Sequence, residues 1–283
     1  MSPERHSHLP PEIGVVIPFY RADRTFPATL ASVLAQTRRP DRIVVVDDGS
    51  PDGESRSLAA LPDGVELIRL PRNAGVGEAR RVGMAAMPTP LIAFLDADDG
   101  WPPNFLEAMS ARLVACAQAP AVYSAITRCW PDGPRDTLAT KPSLLTLREA
   151  IVRSHTIPSA MLFRRAPLEA AGGWPPERML IEDWVLIVRL IAQAGPLVFA
   201  PEIAIDYAVG NPGSINSRDW FTLRRWYLTV RLMHETIEAQ FGAGSARRRF
   251  AQALADRADR RRGASRRFLH GAARLLGPPL RDG

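Results

Sequence analysis

Lysine is nearly absent from this chain. Lys141 is the only one in 283 residues, so arginine supplies almost all of the 36 basic side chains. Such a bias follows genome composition more than choice of partner, and it weakens any nucleic-acid reading of the +6 net charge. Cysteine is equally scarce. Cys116 and Cys129 form no disulfide framework and have no metal-ligand spacing, so a reducing cytoplasm is the expected compartment. No apolar run approaches the ~18 residues that span a bilayer. The polar segment Met1–Pro11 lacks the apolar core of a secretory signal. No internal repeat is visible. What remains is a chain with 46% hydrophobic and 23% charged residues, as expected of a folded soluble protein. Its length suits one large α/β domain or two small ones.

The most informative stretch is Leu91-Ile92-Ala93-Phe94-Leu95, which runs directly into Asp96-Ala97-Asp98-Asp99-Gly100. An apolar run without alternation fits a strand buried on both faces, as in a parallel sheet. Three carboxylates so close repel one another unless positive charge lies among them. Hard oxygen donors suit Mg²⁺ or Mn²⁺ together with a phosphorylated ligand, whereas a solvated acidic turn is the plainer alternative. The pattern recurs upstream: Arg42-Ile43-Val44-Val45-Val46 runs into Asp47-Asp48-Gly49-Ser50. Ligands of open α/β sheets bind at the carboxyl ends of strands, so two acidic ends favour a site there.

In order, the chain predicts a strand over Ile13–Pro18 and a helix over Thr25–Gln36 with Phe26, Leu30, Val33 and Leu34 on one face, Thr25 or Asp23 capping it. The Asp47 strand, a short helix over Asp52–Ala60 and a strand over Val65–Leu70 follow. Arg72-Asn73-Ala74-Gly75-Val76-Gly77-Glu78-Ala79-Arg80-Arg81 then opens a helix to about Met87. This turn lacks the third glycine of a dinucleotide fingerprint, and it is expected to carry arginines towards a nucleotide. After the central strand come a helix over Pro102–Ala117 and a strand over Ala121–Ile126. The alternation implies a right-handed, doubly wound parallel sheet.

Beyond it, Thr146-Leu147-Arg148-Glu149 has capping-box spacing. Ile157–Arg164 is an edge or bent strand because of Pro158, and Ala166–Ala171 is a helical turn. Glu182-Asp183-Trp184 opens an apolar helix to about Gly195, where capping the helix dipole is an ordinary use for the two acids. Two short strands, Leu197–Ala200 and Ile203–Tyr207, precede an amphipathic helix over Asp219–Phe241. Its apolar face carries Leu223, Trp226, Tyr227, Val230, Met233, Ile237 and Phe241.

Taken together, Val16-Ile17-Pro18-Phe19-Tyr20, Gln36-Thr37 with Val46-Asp47-Asp48-Gly49-Ser50, Asn73-x-Gly75 with Ala79-Arg80, Asp96-Ala97-Asp98-Asp99, and Gly172-Gly173-Trp174 with Glu182-Asp183-Trp184 resemble family 2 glycosyltransferases of the GT-A fold. The resemblance covers about Ile13 to Ser214. It implies a flexible N-terminus (1–12), a Rossmann-like, mostly parallel GT-A domain (13–215) and a C-terminal helical extension with an Arg-rich tail (216–283). It further implies a metal-dependent, inverting transfer of sugar from a UDP- or dTDP-linked donor to a hydroxyl of a glycan, lipid-linked or small-molecule acceptor. Pro18, Phe19, Tyr20, Asp48, Gly75, Arg80, Asp96, Ala97 and Asp98 match donor-binding positions, Asp48 at the nucleobase. Asp98 matches a direct ligand of Mn²⁺ or Mg²⁺, with Asp96 reaching the ribose or a metal-bound water. Asp183 matches the general base, supported by Glu182. Where the family often carries a basic residue after tyrosine, this chain has Tyr207-Ala208, and Arg218 or the metal is the expected substitute.

Two other functions fit parts of the pattern: a metal-dependent nucleotidyltransferase, and a non-catalytic nucleotide-sugar binder. The first would need a Gly-rich phosphate loop after the first strand, which is missing. The tail carries Arg247-Arg248-Arg249, Arg260-Arg261-Arg262 and Arg266-Arg267 beside Phe268, Leu275 and Leu276. It offers peripheral contact with an anionic bilayer at the cytoplasmic face, a solvated helix, or a homodimer contact. Nucleic-acid binding is not expected, because no aromatic residues interleave with the arginines.

Overall fold

In the computed structural model, the apolar runs become the interior strands of one mixed sheet. The structure describes residues 10–131, 133–175, 182–210 and 223–242, with Gly244 and Arg248. The first half contains β1 (Ile13–Phe19), α1 (Phe26–Leu34), β2 (Arg42–Asp47), a 3₁₀ turn (Arg56–Ala60), β3 (Val65–Arg69), α2 (Val76–Ala86), β4 (Leu91–Phe94) and α3 (Phe105–Ala115). The second contains β5 (Ala121–Cys129), β6 (Arg135–Leu138), β7 (Leu144–Leu145), α4 (Leu147–Val152), a 3₁₀ turn (Pro158–Ala160), β8 (Met161–Arg164), α5 (Arg165–Ala170), α6 (Glu182–Ala194), β9 (Leu197–Ala208) and α7 (Leu223–Phe241).

The strand order is β3-β2-β1-β4-β8-β5-β9-β7, with β6 on β5. The first four strands are parallel, as their uninterrupted apolar sequences require. Ile13, Val15, Val16, Ile17 and Phe19 of β1 are all 0% exposed, and successive side chains enter opposite layers. Val16, Val44, Val46, Ile92 and Phe94 pack under α2 and α6. Ile13, Val15, Ile17, Val45 and Ala93 pack under α1 and α3. Each such aliphatic or aromatic side chain contributes about 1.5–3 kcal/mol of transfer free energy.

Several expectations need correction. The mostly parallel GT-A sheet is as expected, and only the uniform parallel run implied by the alternation is broken, by β8 running antiparallel between β4 and β5. Nor is β8 an edge strand. Pro158 falls in the 3₁₀ turn before it, so no ladder bond is lost and Met161–Phe163 lie in the core. The two short strands expected near the end are one strand, β9, whose pairing with β5 shifts between Ser124 and Ala125 to absorb Pro201. Thr25 makes no side-chain cap to α1, and Asp23 instead accepts from Arg56 N, Ser57 N and Ser57 Oγ of the 3₁₀ turn. Leu34 and Phe241, expected on apolar faces, are 40% and 39% exposed. The capping box at Thr146 and Glu149 is present. On α7, which packs against α6, Met233 and Ile237 are buried. The side chains of Leu223, Trp226, Tyr227 and Val230, Arg218, and the arginine clusters beyond Arg248 lie outside the described residues.

Candidate active site

The carboxyl ends of β1, β2 and β4 lie side by side, since β1 pairs with both neighbours. Both acidic turns therefore open on the same edge of the sheet. After β2 the chain turns through Gly49 at φ 65°, and Arg72 backbone passes so close that a Cβ there would lie 2.4 Å from its carbonyl carbon. Only glycine permits that crossing. It brings the Asn73-Ala74-Gly75 turn over Asp48, whose Oδ1 and Oδ2 accept from Ala74 N at 2.7 Å and Gly75 N at 2.8 Å. Gly75, at φ 103°, is the N-cap of α2. Asp48 thus fixes the start of the helix that carries Arg80.

Arg80 is expected at the nucleotide, yet it is a buried bridge, 4% exposed. Its Nη2 donates to Asp96 Oδ1 at 2.5 Å and its Nη1 to Glu182 Oε1 at 3.3 Å. The guanidinium lies 4.7 Å from the centroid of the Trp174 ring. Burial lowers its pKa, but Asp96 and Glu182 more than offset this, and the net direction is upward. Arg80 Nε is buried without a hydrogen-bond partner among the described residues. Glu182 reaches Arg80 by crossing α2 at Gly77, where a Cβ would meet its Cγ at 3.1 Å. Burial raises the Glu182 and Asp183 carboxyls above the usual carboxylate range, and Arg80 partly offsets both shifts. Asp183 Oδ1 accepts from Trp184 N at 2.8 Å, in the first turn of α6. An acid with an elevated pKa near developing charge is what a general base at neutral pH requires.

The other turn residues divide by role. Asp96 and Asp98 are partly exposed, while Ala97 is buried. Asp96 N donates to Ser159 Oγ at 3.1 Å. Asp99 is 3% exposed and serves the fold: its Oδ1 accepts from Ala208 N at 3.0 Å, and its carbonyl accepts from Thr29 Oγ1 at 2.7 Å. Its carboxyl is pushed well up, first by burial and then by Asp96 and Asp98. Among the described residues, no group of three or more His, Cys, Asp or Glu side chains gathers as a metal cage. The hard carboxylate oxygens of Asp96 and Asp98 are the donors that would hold a divalent cation, which would supply positive charge to a phosphorylated ligand.

Of the three residues expected at the nucleoside, Tyr20 is 41% exposed, whereas Pro18 and Phe19 are buried. Phe19 faces Phe26 edge-on at 5.3 Å and belongs to the core, which removes its side chain from the pocket lining. The structure brings Arg80, Asp96, Glu182 and Asp183 into one electrostatic cluster. It ties Asp48 and Gly75 to that cluster through α2. Two contributors had no role in the sequence reading, Trp174 under the guanidinium and Gly77 under Glu182. A glycine in a helix that faces an acid pair was the available signal for the second.

Solved structures share this architecture. Staphylococcus aureus TarS 1–349 in complex with UDP-GlcNAc superposes with a TM-score of 0.72 at 18% identity, over 93% of this chain and 79% of that one. GalNAc-T7 with UDP, GalNAc and Mn²⁺ gives 0.59 at 18% identity, over 78% and 48%. These likenesses establish the GT-A fold. Residues 14–172, more than half the chain, match the profile of Glycosyl transferase family 2, and the chain belongs to that family. Among curated relatives, succinoglycan biosynthesis protein ExoU of Rhizobium meliloti is 26% identical over 96% of this chain and 83% of its own. The putative teichuronic acid biosynthesis glycosyltransferase TuaG of Bacillus subtilis is 29% identical over 78% and 88%. Other matches are partial: that to ExoO of R. meliloti, 39% identical, spans 40% of this chain and 32% of the relative. None of the described helices is long and apolar enough to cross a membrane.

Proposed function

We propose that this chain transfers a sugar from a UDP- or dTDP-linked donor to a hydroxyl acceptor, with inversion, in the synthesis of a cell-surface glycan or polysaccharide. Support for the pathway class comes from the succinoglycan and teichuronic acid relatives. The acceptor class includes lipid-linked glycans, since one relative, WfgD of Escherichia coli, is named for α-D-GlcNAc-diphosphoundecaprenol. The observation that carries the reading is the single cluster in which Arg80 joins Asp96, at the end of β4, to Glu182, beside Asp183 at the start of α6.

In this reading Asp96 and Asp98 hold Mn²⁺ or Mg²⁺, which when bound neutralises charge on the leaving diphosphate. Asp183 accepts the proton of the acceptor hydroxyl as that oxygen attacks the anomeric carbon. One base acting in a single displacement inverts the centre. Glu182 stays on Arg80 and keeps the start of α6 against the donor side of the site. Asp48 holds the Gly75 turn beside the position of the nucleobase, with Tyr20 at the mouth. The test is nucleoside diphosphate release from a panel of UDP- and dTDP-sugars with Mn²⁺, with and without glycan acceptors. Acceptor-dependent release from one donor is the expected result. No release from any donor, with nucleotide binding intact, would support a binding protein instead.

A further inference from the structure

The mouth of the site is crowded with negative charge, yet its central cation is not available to a ligand. Arg80 is buried and engaged by both Asp96 and Glu182. A diphosphate entering beside Asp96, Asp98 and Asp183 needs further positive charge. The sheet register supplies a candidate. Cys129 of β5 pairs with Arg135 on one side and with Ala208 on the other. Residues paired across strands share a face, so Arg135, Cys129 and the small Ala208 lie on one face of the sheet. Its guanidinium ends on Asp206. Asp206 is bound to the acidic turn, because its backbone exchanges two 2.9 Å hydrogen bonds with Gly100. Ala208 N in turn holds Asp99. The Cys129 thiol registers the same neighbourhood: burial pushes it up, as do Asp206 and Asp99, while Arg135 opposes them.

We propose that Arg135 is a phosphate-binding residue of the donor site, which exchanges Asp206 for the distal phosphate of the nucleoside diphosphate. This rests on the nucleotide-sugar reading above. The Arg135 and Asp206 side chains are 61% and 51% exposed. An ion pair so exposed contributes little, and it yields readily to a doubly charged oxyanion. The guanidinium fork matches phosphate oxygens in a way a lysine does not. Asp206 then acts as a placeholder that keeps the arginine beside the acidic turn until the ligand arrives.

Calorimetric titration of the full chain with UDP and with UMP, in Mn²⁺, tests the proposal. Arg135→Ala is expected to weaken UDP about tenfold while leaving UMP within about twofold. Arg135→Lys should recover only part of the loss. Asp206→Asn, which releases the arginine, is expected to tighten UDP rather than weaken it, an outcome opposite to that of a merely structural ion pair. Equal UDP affinity in wild type and Arg135→Ala would overturn the proposal, as would Asp206→Asn weakening UDP to the same extent as Arg135→Ala. If the wild-type chain binds neither UDP nor dTDP, the nucleotide-sugar reading itself falls and this inference falls with it. Melting temperatures of the variants, expected near wild type for so exposed a pair, separate binding loss from misfolding.

Discussion

The two acidic turns look alike in sequence and differ in what satisfies their charge. After β2, Ser50 N donates to Asp47 at 3.0 Å, beside an exposed Arg69 guanidinium 3.6 Å away, and Asp48 accepts from the backbone N–H groups of Ala74 and Gly75. After β4, Asp96 meets a buried guanidinium, and Asp98 stands beside it partly exposed. The first turn is held mainly by fixed dipoles and braces a loop. The second has its charge balanced by a cation shared with the opposite side of the site, where Glu182 and Asp183 begin α6. Identical side chains at the ends of the two strands that flank β1 thus meet different partners, and in the proposed function the partner sets the role.

Substitution should separate the two turns. Asp98→Ala is expected to lower kcat about 100-fold or more, because charge on the leaving group loses its support, with the melting temperature unchanged or raised by relief of repulsion with Asp99. Asp48→Ala should weaken the fold first and raise KM for the donor more than it lowers kcat. Stranding two backbone N–H groups costs about 2–3 kcal/mol in denaturant unfolding. If Asp98→Ala proves the less stable and Asp48→Ala the less active, the comparison is inverted.

Arg80→Met probes the link between the sides. It leaves Glu182 and Asp96 without their cation, and a loss of about 3–5 kcal/mol is expected by urea titration. Without the guanidinium the Asp183 carboxyl rises further, so the acid limb of the kcat profile should move to higher pH. An unmoved limb would show that Arg80 does not act on the base.

Lys141 offers the opposite case, a cation satisfied by little. Its Nζ donates to Ser124 O at 2.8 Å and lies 5.7 Å from the centroid of the Tyr123 ring. Burial, aided by Arg153, lowers its pKa from 10.5 to about 7. Above 10.5 both folded and unfolded chains carry it neutral. As pH falls towards about 7 the unfolded chain takes up the proton first, so stability is lost, and below about 7 the loss is complete. Lys141→Met should therefore stabilise the protein by about 1–2 kcal/mol more at pH 6 than at pH 10, measured by unfolding at both. The smallest effect belongs to Gly77→Ala. Better helix propensity offsets the contact with Glu182, so stability should change by less than about 1 kcal/mol, while kcat falls several-fold as Glu182 shifts.

Much of this was legible in the chain. Uninterrupted apolar runs identify β1, β2 and β4, and the acids that follow them mark the edge where the site opens. The Phe19 side chain lies in the core because β1 is buried on both faces to its last residue, which the uninterrupted run from Ile13 already implied and the motif match did not show. Pro158 misled because proline is confined to edges only when it lies within the ladder, and here it lies one turn before it. The Arg80 bridge was not readable either. Its partners, Asp96 and Glu182, are 16 and 102 residues away, and only the tertiary fold, which seats Glu182 of α6 against Gly77 of α2 beside the end of β4, brings them together.

The central claim is that Asp183 removes the acceptor proton at a site that still holds donor when that acid is neutralised. The direct test is Asp183→Asn, measured for both nucleotide-sugar affinity and acceptor-dependent transfer. The account predicts unchanged affinity with transfer reduced by about 100- to 10,000-fold. Transfer at the wild-type rate with the same donor would contradict it.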